Sequence, residues 1–277
     1  MDRLSEILNR FSINAQVFFS GNMCGSEPFG ARSDGVGHLH LLKSGTLTLK
    51  RDNADVVVFR EPTVIFFPHA TRHRIDAKES DKAELVCSSI HYADGVNNPL
   101  ASALPQSIHY ALSESAMLNQ VAQWLFDEAF ADRCGRGPMI NRLLDIFLIH
   151  ILRDVLDNGR VEHGMLAGLS HPQLAKVLTA IHKEPQNNWS LESMADISAM
   201  SRSKFAELFR STVGQSPGEY VADWRISMAQ ALLMENRPVG LVANAVGYEN
   251  GSALARVFRK KTGLSPREWV TQTKKPN

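Results

Sequence analysis

The chain repeats one stretch of its own sequence 49 positions further on. Residues 214–221 (GQSPGEYV) recur as residues 263–270 (GLSPREWV), and the match extends backwards over apolar and basic positions. A fixed offset with matched chemistry indicates one supersecondary unit that is used twice. Each copy reads as a short helix, a turn, a second helix with basic residues and the start of a further helix. This order is typical of a helix-turn-helix, and two copies predict a protein that enters two successive major grooves of DNA.

Capping residues set the helix boundaries that we predict. Ser190 and Ser201 are good N-caps, Gly214 ends a helix, and the Ser-Pro-x-Glu pattern at Ser216 and Ser265 is a capping box with Pro at the first helical position. The expected helices cover residues 191–197, 202–213 and 217–236 in the first copy, and 239–246, 251–262 and 266 onwards in the second. If the second helices lie one DNA turn apart, about 34 Å, both contact one face of a duplex.

Charge is unevenly distributed along the chain. Residues 171–277 carry 14 basic and 9 acidic side chains, whereas residues 1–170 carry 16 and 20. The basic half is the half with the repeat, as a DNA-binding domain requires. No apolar run reaches membrane-span length and the start does not read as a signal peptide, so we expect a cytoplasmic protein without membrane contact. Three cysteines are too few for a disulfide scaffold.

The first half has a different character. Short alternating or apolar runs separated by turn residues predict a β-sandwich or barrel over residues 1–110. These runs are residues 37–42, 46–50, 55–59, 63–67 and 83–90. Residues 113–131 and 138–156 carry helical periodicity, and the second of these helices is apolar on nearly every side. Such a helix is buried on more than one face, either inside its own domain or against a second subunit.

Motifs spread over residues 171–272 match one family of regulators. They include Trp189-Ser190-Leu191, Met200-Ser201-Arg202-Ser203, Gly214-Gln215-Ser216-Pro217, Val246-Gly247-Tyr248 and Gly263-Leu264-Ser265-Pro266. On these motifs the C-terminal half resembles the AraC/XylS transcription regulators. The resemblance implies a double-stranded DNA partner, recruitment of RNA polymerase, and activation rather than repression. It also implies that the second helix of each copy reads base edges, at Arg202, Ser203, Ala206 and Glu207 in the first copy and at Asn250, Gly251, Ser252 and Arg256 in the second.

Arg256 is the strongest single candidate for base readout, because Arg forms bidentate hydrogen bonds with guanine. Its first-copy counterpart, Glu207, either accepts a hydrogen bond from cytosine or forms a local salt bridge, and we favour the salt bridge. Other basic side chains are suited to phosphate contacts, which set register rather than sequence, or else form an ordinary solvated helix face. These side chains are Lys204, Arg210, Arg259, Lys260 and Lys261.

Two histidine segments mark the first half. His38-Leu39-His40 precedes Lys43-Ser44-Gly45, and Pro68-His69-Ala70-Thr71-Arg72-His73 follows an apolar run. On these motifs residues 5–95 resemble the cupin barrel, and more narrowly the cupin-type sensor domain of one branch of AraC-like regulators. In that branch the functional set would be Cys24, His40, His73 and Cys87.

Two kinds of chemistry fit this set. Two thiolates and two imidazoles suit tetrahedral Zn²⁺. Alternatively, Cys24 and Cys87 form a reversible disulfide under oxidants, which in a reducing cytoplasm acts as a signal. Each histidine also has the ordinary alternative of a hydrogen-bonded core or surface residue. Cys134 is expected to be a free thiol.

Catalysis is the main competing function. In cupin metalloenzymes a His-x-His pair and then a carboxylate precede the turn Gly, but here the pair lies too close to Gly45 and the acidic residue Asp34 precedes it. We therefore expect no enzyme activity, and the intact repeat argues against a binding module without DNA activity. The predicted fold is α+β and multidomain: a cupin-like β-barrel sensor (1–110), a helical dimerisation element (111–157), a linker (158–170) and a domain with two helix-turn-helix units (171–277).

Overall fold

The computed structural model describes residues 2–30, 36–52, 55–92, 98–159 and 161–274. The chain forms two compact units, one of Ile13–Asn158 and one that combines Met1–Ser12 with Gly159–Asn277. The second unit therefore includes the first helix, α1 (Ser5–Arg10). The segment before residue 13 thus groups apart from the sensor domain that we expected over residues 1–110.

The Ile13–Asn158 unit is built on two antiparallel sheets. Its strands are β1 (Ile13–Met23), β2 (Gly25–Phe29), β3 (Gly37–Ser44), β4 (Leu47–Arg51), β5 (Val57–Phe59), β6 (Thr63–Phe67), β7 (His73–Ala77), β8 (Ala83–Tyr92) and β9 (Ile108–Ala111). One sheet has the order β1-β8-β3-β6-β9 and the other the order β2-β7-β4-β5. Leu42, Leu49, Phe67, Ile75 and Leu85 belong to the apolar core that strands of both sheets build. This β-rich architecture confirms the fold predicted for the first half.

The α-helices in the described part of this unit are α2 (Pro99–Ala103), α3 (Ala116–Ala129) and α4 (Arg136–Asp157). Helix α4 packs on α3 and covers the edge strand β1. Asn141 Oδ1 accepts a hydrogen bond from Val17 N, and Asp145 Oδ1 accepts one from Ala15 N, both at 3.0 Å. These bonds satisfy edge amides that would otherwise be open to another strand.

The C-terminal part is entirely helical in the residues described. Its helices are α5 (Met165–Ser170), α6 (Leu174–Lys183), α7 (Leu191–Ile197), α8 (Arg202–Val213), α9 (Pro217–Met234), α10 (Val239–Ala245), α11 (Gly251–Thr262) and α12 (Pro266–Thr273). Residues 158–170, which we expected to form a linker, contain α5, and its Leu166 and Leu169 are fully buried. No helix in the described part of the chain is both long and apolar enough to cross a membrane.

Two helix pairs, α7–α8 and α10–α11, are joined by α9, which contacts both pairs. The predicted capping boxes are confirmed. Ser216 Oγ accepts from Glu219 N at 3.3 Å while Glu219 Oε2 accepts from Ser216 N at 3.1 Å, and Ser265 and Glu268 repeat this exchange. Helix α9 therefore begins at a strong local signal and serves as the shared spine of the two copies.

The turn between the helices differs between the copies by one residue. Helices α8 and α11 keep the offset of 49, whereas the left-handed turn positions, Ala199 (φ 54°) and Gly247 (φ 84°), are 48 apart. The same backbone hydrogen bonds surround both positions, since Met200 N donates to Ala195 O and Tyr248 N donates to Ala243 O. The second copy therefore inserts one extra residue after its turn without changing the turn itself.

Candidate functional site

Helix α8 presents a polar face opposite a buried apolar one. Phe205 and Phe209 are fully buried and hold the helix against the unit's core. The opposite face is exposed and carries five of the predicted DNA-contacting residues of the first copy, with Ala206 half-buried beside them. These five are Arg202, Ser203, Lys204, Glu207 and Arg210. The face is accessible along its length, as a helix that enters a major groove requires.

Glu207 is exposed on the same face. The ion pairs of the described residues do not include Glu207, so the local salt bridge that we favoured finds no support among them. Its carboxylate is thus left facing solvent on the helix that we expect to read bases.

Helix α11 repeats this arrangement in the second copy. Leu254 and Phe258 are buried, while Ser252, Arg256 and Lys260 are exposed and Gly251 is half-buried. The small residues at the start of α11 leave room for close approach to a groove.

Three of the predicted contact residues in α11 already have intramolecular partners. Asn250 is the N-cap, and its Oδ1 accepts from Ala253 N at 2.9 Å, so only its amide NH₂ is left to face a base. Arg259 pairs with Glu268 at 3.1 Å, and Lys261 Nζ lies 2.5 Å from Asp223 Oδ1. Such partly exposed pairs contribute little stability, about 0–1 kcal/mol, so a phosphate can displace them.

Arg225 on α9 links the two copies. Its Nε donates to Pro185 O and its Nη2 to Asn187 O, both at 2.8 Å, in the loop that precedes α7. Its guanidinium also lies 5.5 Å from the ring centre of Tyr248, in the turn of the second copy. The backbone at Gly247 approaches so closely that a Cβ there would lie 2.7 Å from Gln186 Cα. These contacts fix the second turn against the segment that leads into the first copy.

In the Ile13–Asn158 unit, two of the four predicted sensor residues are in direct contact. His40 Nε2 lies 2.9 Å from His73 Nε2, and both rings are buried. His73 Nδ1 lies 2.7 Å from Thr71 O, a carbonyl that only accepts, so this nitrogen carries the proton. A neutral His73 then accepts at Nε2, and His40 Nε2 donates.

Burial keeps these imidazoles neutral. It lowers the pKa of His73 to about 4 and, together with the nearby His73 and His38, holds the pKa of His40 well below its ordinary value. Cys87 lies directly opposite His40 on the neighbouring strand, so the two side chains point to the same face of the sheet. Burial raises the pKa of the Cys87 thiol to about 12. This thiol is therefore a poor nucleophile unless a cation or a conformational change intervenes.

Cys24 is exposed at the end of β1, and it is a free thiol, as are Cys87 and Cys134. Cys24 and Cys87 line one cavity of about 310 Å³, together with Phe18, Phe19 and other side chains. The predicted set thus divides into a buried group, His40, His73 and Cys87, and one accessible thiol.

The donor types suit Zn²⁺, but their placement fits it only in part. The two Nε2 atoms face each other, and Cys87 would have to lose its proton to bind a metal. Among the described residues, no three His, Cys, Asp or Glu side chains are grouped closely enough to hold an ion as they stand. His69 lies apart, with Nε2 3.3 Å from Leu104 O, and Asp34 lies outside the described residues.

Comparison with known families covers both halves of the chain. The family model described as Cupin matches residues 2–157, more than half of the chain, and the model described as Helix-turn-helix domain matches residues 194–272. The chain belongs to the AraC-type transcription regulators that carry an N-terminal cupin domain. The chain is thus a DNA-binding AraC-type transcription regulator with a cupin-like ligand-binding domain, and its relatives are transcriptional regulators rather than enzymes.

Two curated relatives match this AraC-type regulator over nearly its whole length. The HTH-type transcriptional regulator AlkR of Acinetobacter baylyi is 28% identical over 309 residues, covering 99% of this chain and 100% of AlkR. The RCS-specific HTH-type transcriptional activator RclR of Escherichia coli is 26% identical over 279 residues and 97% of each chain. The crystal structure of ToxT from Vibrio cholerae aligns with 97% of this chain and 100% of its own at 15% identity and a TM-score of 0.41.

Sequence reasoning missed two residues of this AraC-type regulator. The histidine pair was expected to supply one functional ring, yet His38 also lies with the buried group, its ring centre 5.6 Å from that of His73. The alternation of β3 does predict that His38 and His40 share a face, and from it we expected that only one of them need be a ligand. Arg225 was not singled out from the sequence, because its role depends on contacts with both copies that no local pattern predicts.

Proposed function

We propose that this regulator activates transcription by placing α8 and α11 in two successive major grooves and recruiting RNA polymerase. The observation that supports this most directly is the shared spine. Helix α9 contacts both helix pairs, and Arg225 ties the turn of the second copy to the loop before the first. A rigid pair of reading helices recognises a site of fixed spacing.

In this proposal some residues on the exposed faces of α8 and α11 contact base edges, and others contact phosphates. Base edges are read from Arg202, Ser203, Ala206 and Glu207 and from Asn250, Gly251, Ser252 and Arg256. The carboxylate of Glu207, which has no ion-pair partner in the described residues, is suited to accept from cytosine N4. Phosphates are held by Lys204, Arg210, Arg259, Lys260 and Lys261.

The test is binding to a duplex that the protein itself selects from a random pool, measured by fluorescence anisotropy. Arg256→Ala should lower the affinity for the selected duplex by about 1–3 kcal/mol and relax specificity at one base pair. Arg60→Ala is the control, because Arg60 is an exposed basic residue of the other unit, between β5 and β6. An unchanged affinity for Arg256→Ala would refute a base contact by Arg256. The absence of any DNA binding by the wild-type protein would refute the proposed role in DNA-dependent regulation.

In this proposal the cupin unit senses a small effector, a metal or an oxidant, and an oxidant would act on the thiols of Cys24 and Cys87 after a local movement that brings them together. Cys24 is exposed, and Cys87 lines the same cavity. Joining the two sulfurs removes two protons and two electrons, which a peroxide takes up as it is reduced to water. The alternative is Zn²⁺ held by Cys24, His40, His73 and Cys87, where the metal would keep both thiols deprotonated and oxidation would release it.

Elemental analysis of protein purified without chelator distinguishes the two. Stoichiometric zinc that is lost in Cys24→Ser supports the metal site. Metal-free protein that forms a Cys24–Cys87 crosslink under dilute peroxide supports the thiol switch. Cys134→Ser is the control for both, since Cys134 is an exposed thiol outside the cavity. Protein that contains no zinc and forms no crosslink would refute both the zinc site and the thiol switch.

We further propose that α4 forms a homodimer interface. Its inner face is buried, but Met139 is 52% exposed, Ile146 is 44% exposed, and Leu143 between them is half-buried. These positions recur at helical spacing and form an apolar stripe that a second α4 would cover. Sedimentation of Ile146→Glu should give a monomer where the wild type gives a dimer.

A regulator of this kind works in the cytoplasm, where its DNA lies.

A further inference from the structure

The cavity bordered by β1 and β2, of about 310 Å³, has an aromatic lining and one acidic side chain. The rings of Phe18, Phe19 and Phe29 border it. Met23 adds a thioether and Glu27 adds a carboxylate, and none of the described residues that border it is Lys, Arg or His. Its volume is close to the lower end of the range for small-molecule sites, about 300–1,000 Å³. The cavity therefore has room for a small organic molecule with one ring.

A β-bulge brings two consecutive aromatic side chains to this cavity. Val17 is paired with Ser88 and Phe19 with Cys87, so Phe18 is an extra residue without a partner on β8. Neighbouring residues of a regular strand point to opposite faces, whereas a bulge redirects one of them. Phe18 is 50% exposed and Phe19 is 37% exposed. The bulge thus keeps two large apolar rings accessible at one site, which is typical of a ligand-binding surface.

The strand on the other side of the cavity carries an acidic residue on its inner face. Glu27 of β2 is paired with Ile75 of β7, and Phe29 is paired with His73. Paired residues of antiparallel strands have side chains on the same face, and both Ile75 and His73 are buried. Glu27 therefore occupies a position where the alternation of β2 calls for an apolar residue. Among the described residues, no ion pair involves its carboxylate.

The aromatic wall is fixed, and its neighbours do not oppose a positive charge. The ring centre of Phe29 lies 5.9 Å from that of Phe18, 5.2 Å from that of His73 and 4.7 Å from that of His40. Burial lowers the pKa of both histidines, to about 4 for His73, so these rings are uncharged at neutral pH. The face of an aromatic ring carries a negative potential that attracts cations. Rings and carboxylate together thus favour a ligand with a positive charge.

We propose that this cavity binds a small organic ammonium ion with an apolar body, of the arylalkylamine class. The ammonium group pairs with Glu27 and lies against the rings of Phe18 and Phe29, while the apolar body fills the space beside Met23 and Ile75. An anion of the same shape meets a carboxylate and no basic side chain of the described lining, and a neutral isostere gains only the apolar contacts. This inference deepens the proposed function, because it names the chemical class of the effector. It rests on that function only for the consequence of binding.

Three probes of one shape and different charge test the proposal: phenethylammonium, phenethyl alcohol and phenylacetate. Their binding to the full chain is measured by isothermal titration calorimetry, with a thiol reductant present and without DNA. We expect phenethylammonium to bind about tenfold more tightly than phenethyl alcohol, because only the cation gains the ring and carboxylate attractions. Phenylacetate should bind most weakly. Equal affinities for the three probes, a preference for phenylacetate, or no binding of phenethylammonium would overturn the proposal.

Variants of the lining assign the charge preference to named side chains. Glu27→Gln should weaken phenethylammonium binding several-fold and leave phenethyl alcohol binding unchanged, and Phe18→Leu should weaken the cation more than the alcohol. Glu79→Gln is the matched control, because Glu79 is an exposed glutamate of the same unit between β7 and β8. An inward charge on an edge strand also discourages pairing with another chain. If that is the sole role of Glu27, Glu27→Gln self-associates in sedimentation with no change in cation affinity, which would refute the ligand site.

Alkylation of the thiols shows where the cation binds. Cys24 borders the cavity, whereas Cys134 is an exposed thiol outside it. Saturating phenethylammonium should slow the reaction of Cys24 with iodoacetamide several-fold and leave that of Cys134 unchanged. Binding without protection of Cys24 would place the cation elsewhere and overturn the proposal. Since no DNA, metal or oxidant enters these measurements, failure of the proposed function leaves their result unaffected, and failure of the cation site leaves DNA binding intact.

Discussion

Lowering the pH from 7 to 5 should destabilise the C-terminal unit through one residue, His182. Burial, and then the positive charge of Arg10, lowers the pKa of His182 to about 3. In the unfolded chain the pKa returns to about 6.5, so below that pH the unfolded state binds a proton that the folded state does not. Stability is therefore complete above about pH 6.5 and is lost as the pH falls. The loss between pH 7 and 5 is about 2 kcal/mol.

The assay is urea unfolding followed by tryptophan fluorescence, which reports mainly on this unit because three of the four tryptophans, Trp189, Trp224 and Trp269, lie in it. His182→Gln removes the titration and keeps a hydrogen-bonding group near Tyr220. The difference in unfolding free energy between wild type and variant should shrink by about 2 kcal/mol between pH 7 and 5. If the difference in unfolding free energy between wild type and variant is the same at pH 7 and pH 5, His182 is protonated or solvated in the folded protein.

Three further predictions concern the helix-turn-helix copies. Ala199→Gly should stabilise the protein by about 0.5–1 kcal/mol, because the backbone at this position is left-handed. Gly247→Ala should destabilise it by more, because this position is also left-handed and has no room for a Cβ. A lower melting temperature for Ala199→Gly than for Gly247→Ala would refute both predictions. Ser216→Ala and Ser265→Ala should each cost about 1 kcal/mol in urea unfolding, since each hydroxyl caps a helix, and no loss in either would contradict the capping role. Arg225→Ala should cost about 1.5–3 kcal/mol in the same assay, because two charge-assisted bonds are lost, and a loss under 0.5 kcal/mol would deny Arg225 a structural role.

Local signals explain why the helical half could be predicted closely. The predicted boundaries of α7, α8 and α11 agree with the structure, because each end is fixed by a cap within a few residues. Ser201 and Ser216 accept backbone hydrogen bonds at their helix starts, and Gly214 adopts φ 88° at the end of α8. Because the two copies share these capping residues, the helix boundaries predicted for one copy also applied to the other.

The β-rich half was less readable. The runs predicted as strands correspond to β3, β4, β5, β6 and β8, whereas β1, β2, β7 and β9 were not predicted. Strand β1 lies at a sheet edge, and its register shifts between Val17 and Phe19, which breaks the alternation that marks a strand. Because α4 covers its free edge, its place is set by partners distant in sequence.

One local contact and one long-range contact of the C-terminal unit were not predicted. The side-chain oxygen of Asn250 caps α11, which a list of base-reading positions does not show. The docking of Phe11 on Trp224 joins the two ends of the chain, and no periodicity within residues 1–12 indicates it. The sequence indicated which residue types could contact DNA or pack in the core, but it did not indicate which residues they contact in the fold.

In the proposed function, helix α9 holds α8 and α11 rigidly on the same side of a duplex. The most direct measurement is the affinity for the selected duplex before and after insertion of about half a turn, five base pairs, between its two half-sites. We expect this insertion to reduce binding to the level of a single half-site, and about a full turn to restore no more than part of it, because α9 fixes the separation. An affinity that is independent of the spacing would show that the copies bind as separate, flexibly joined modules.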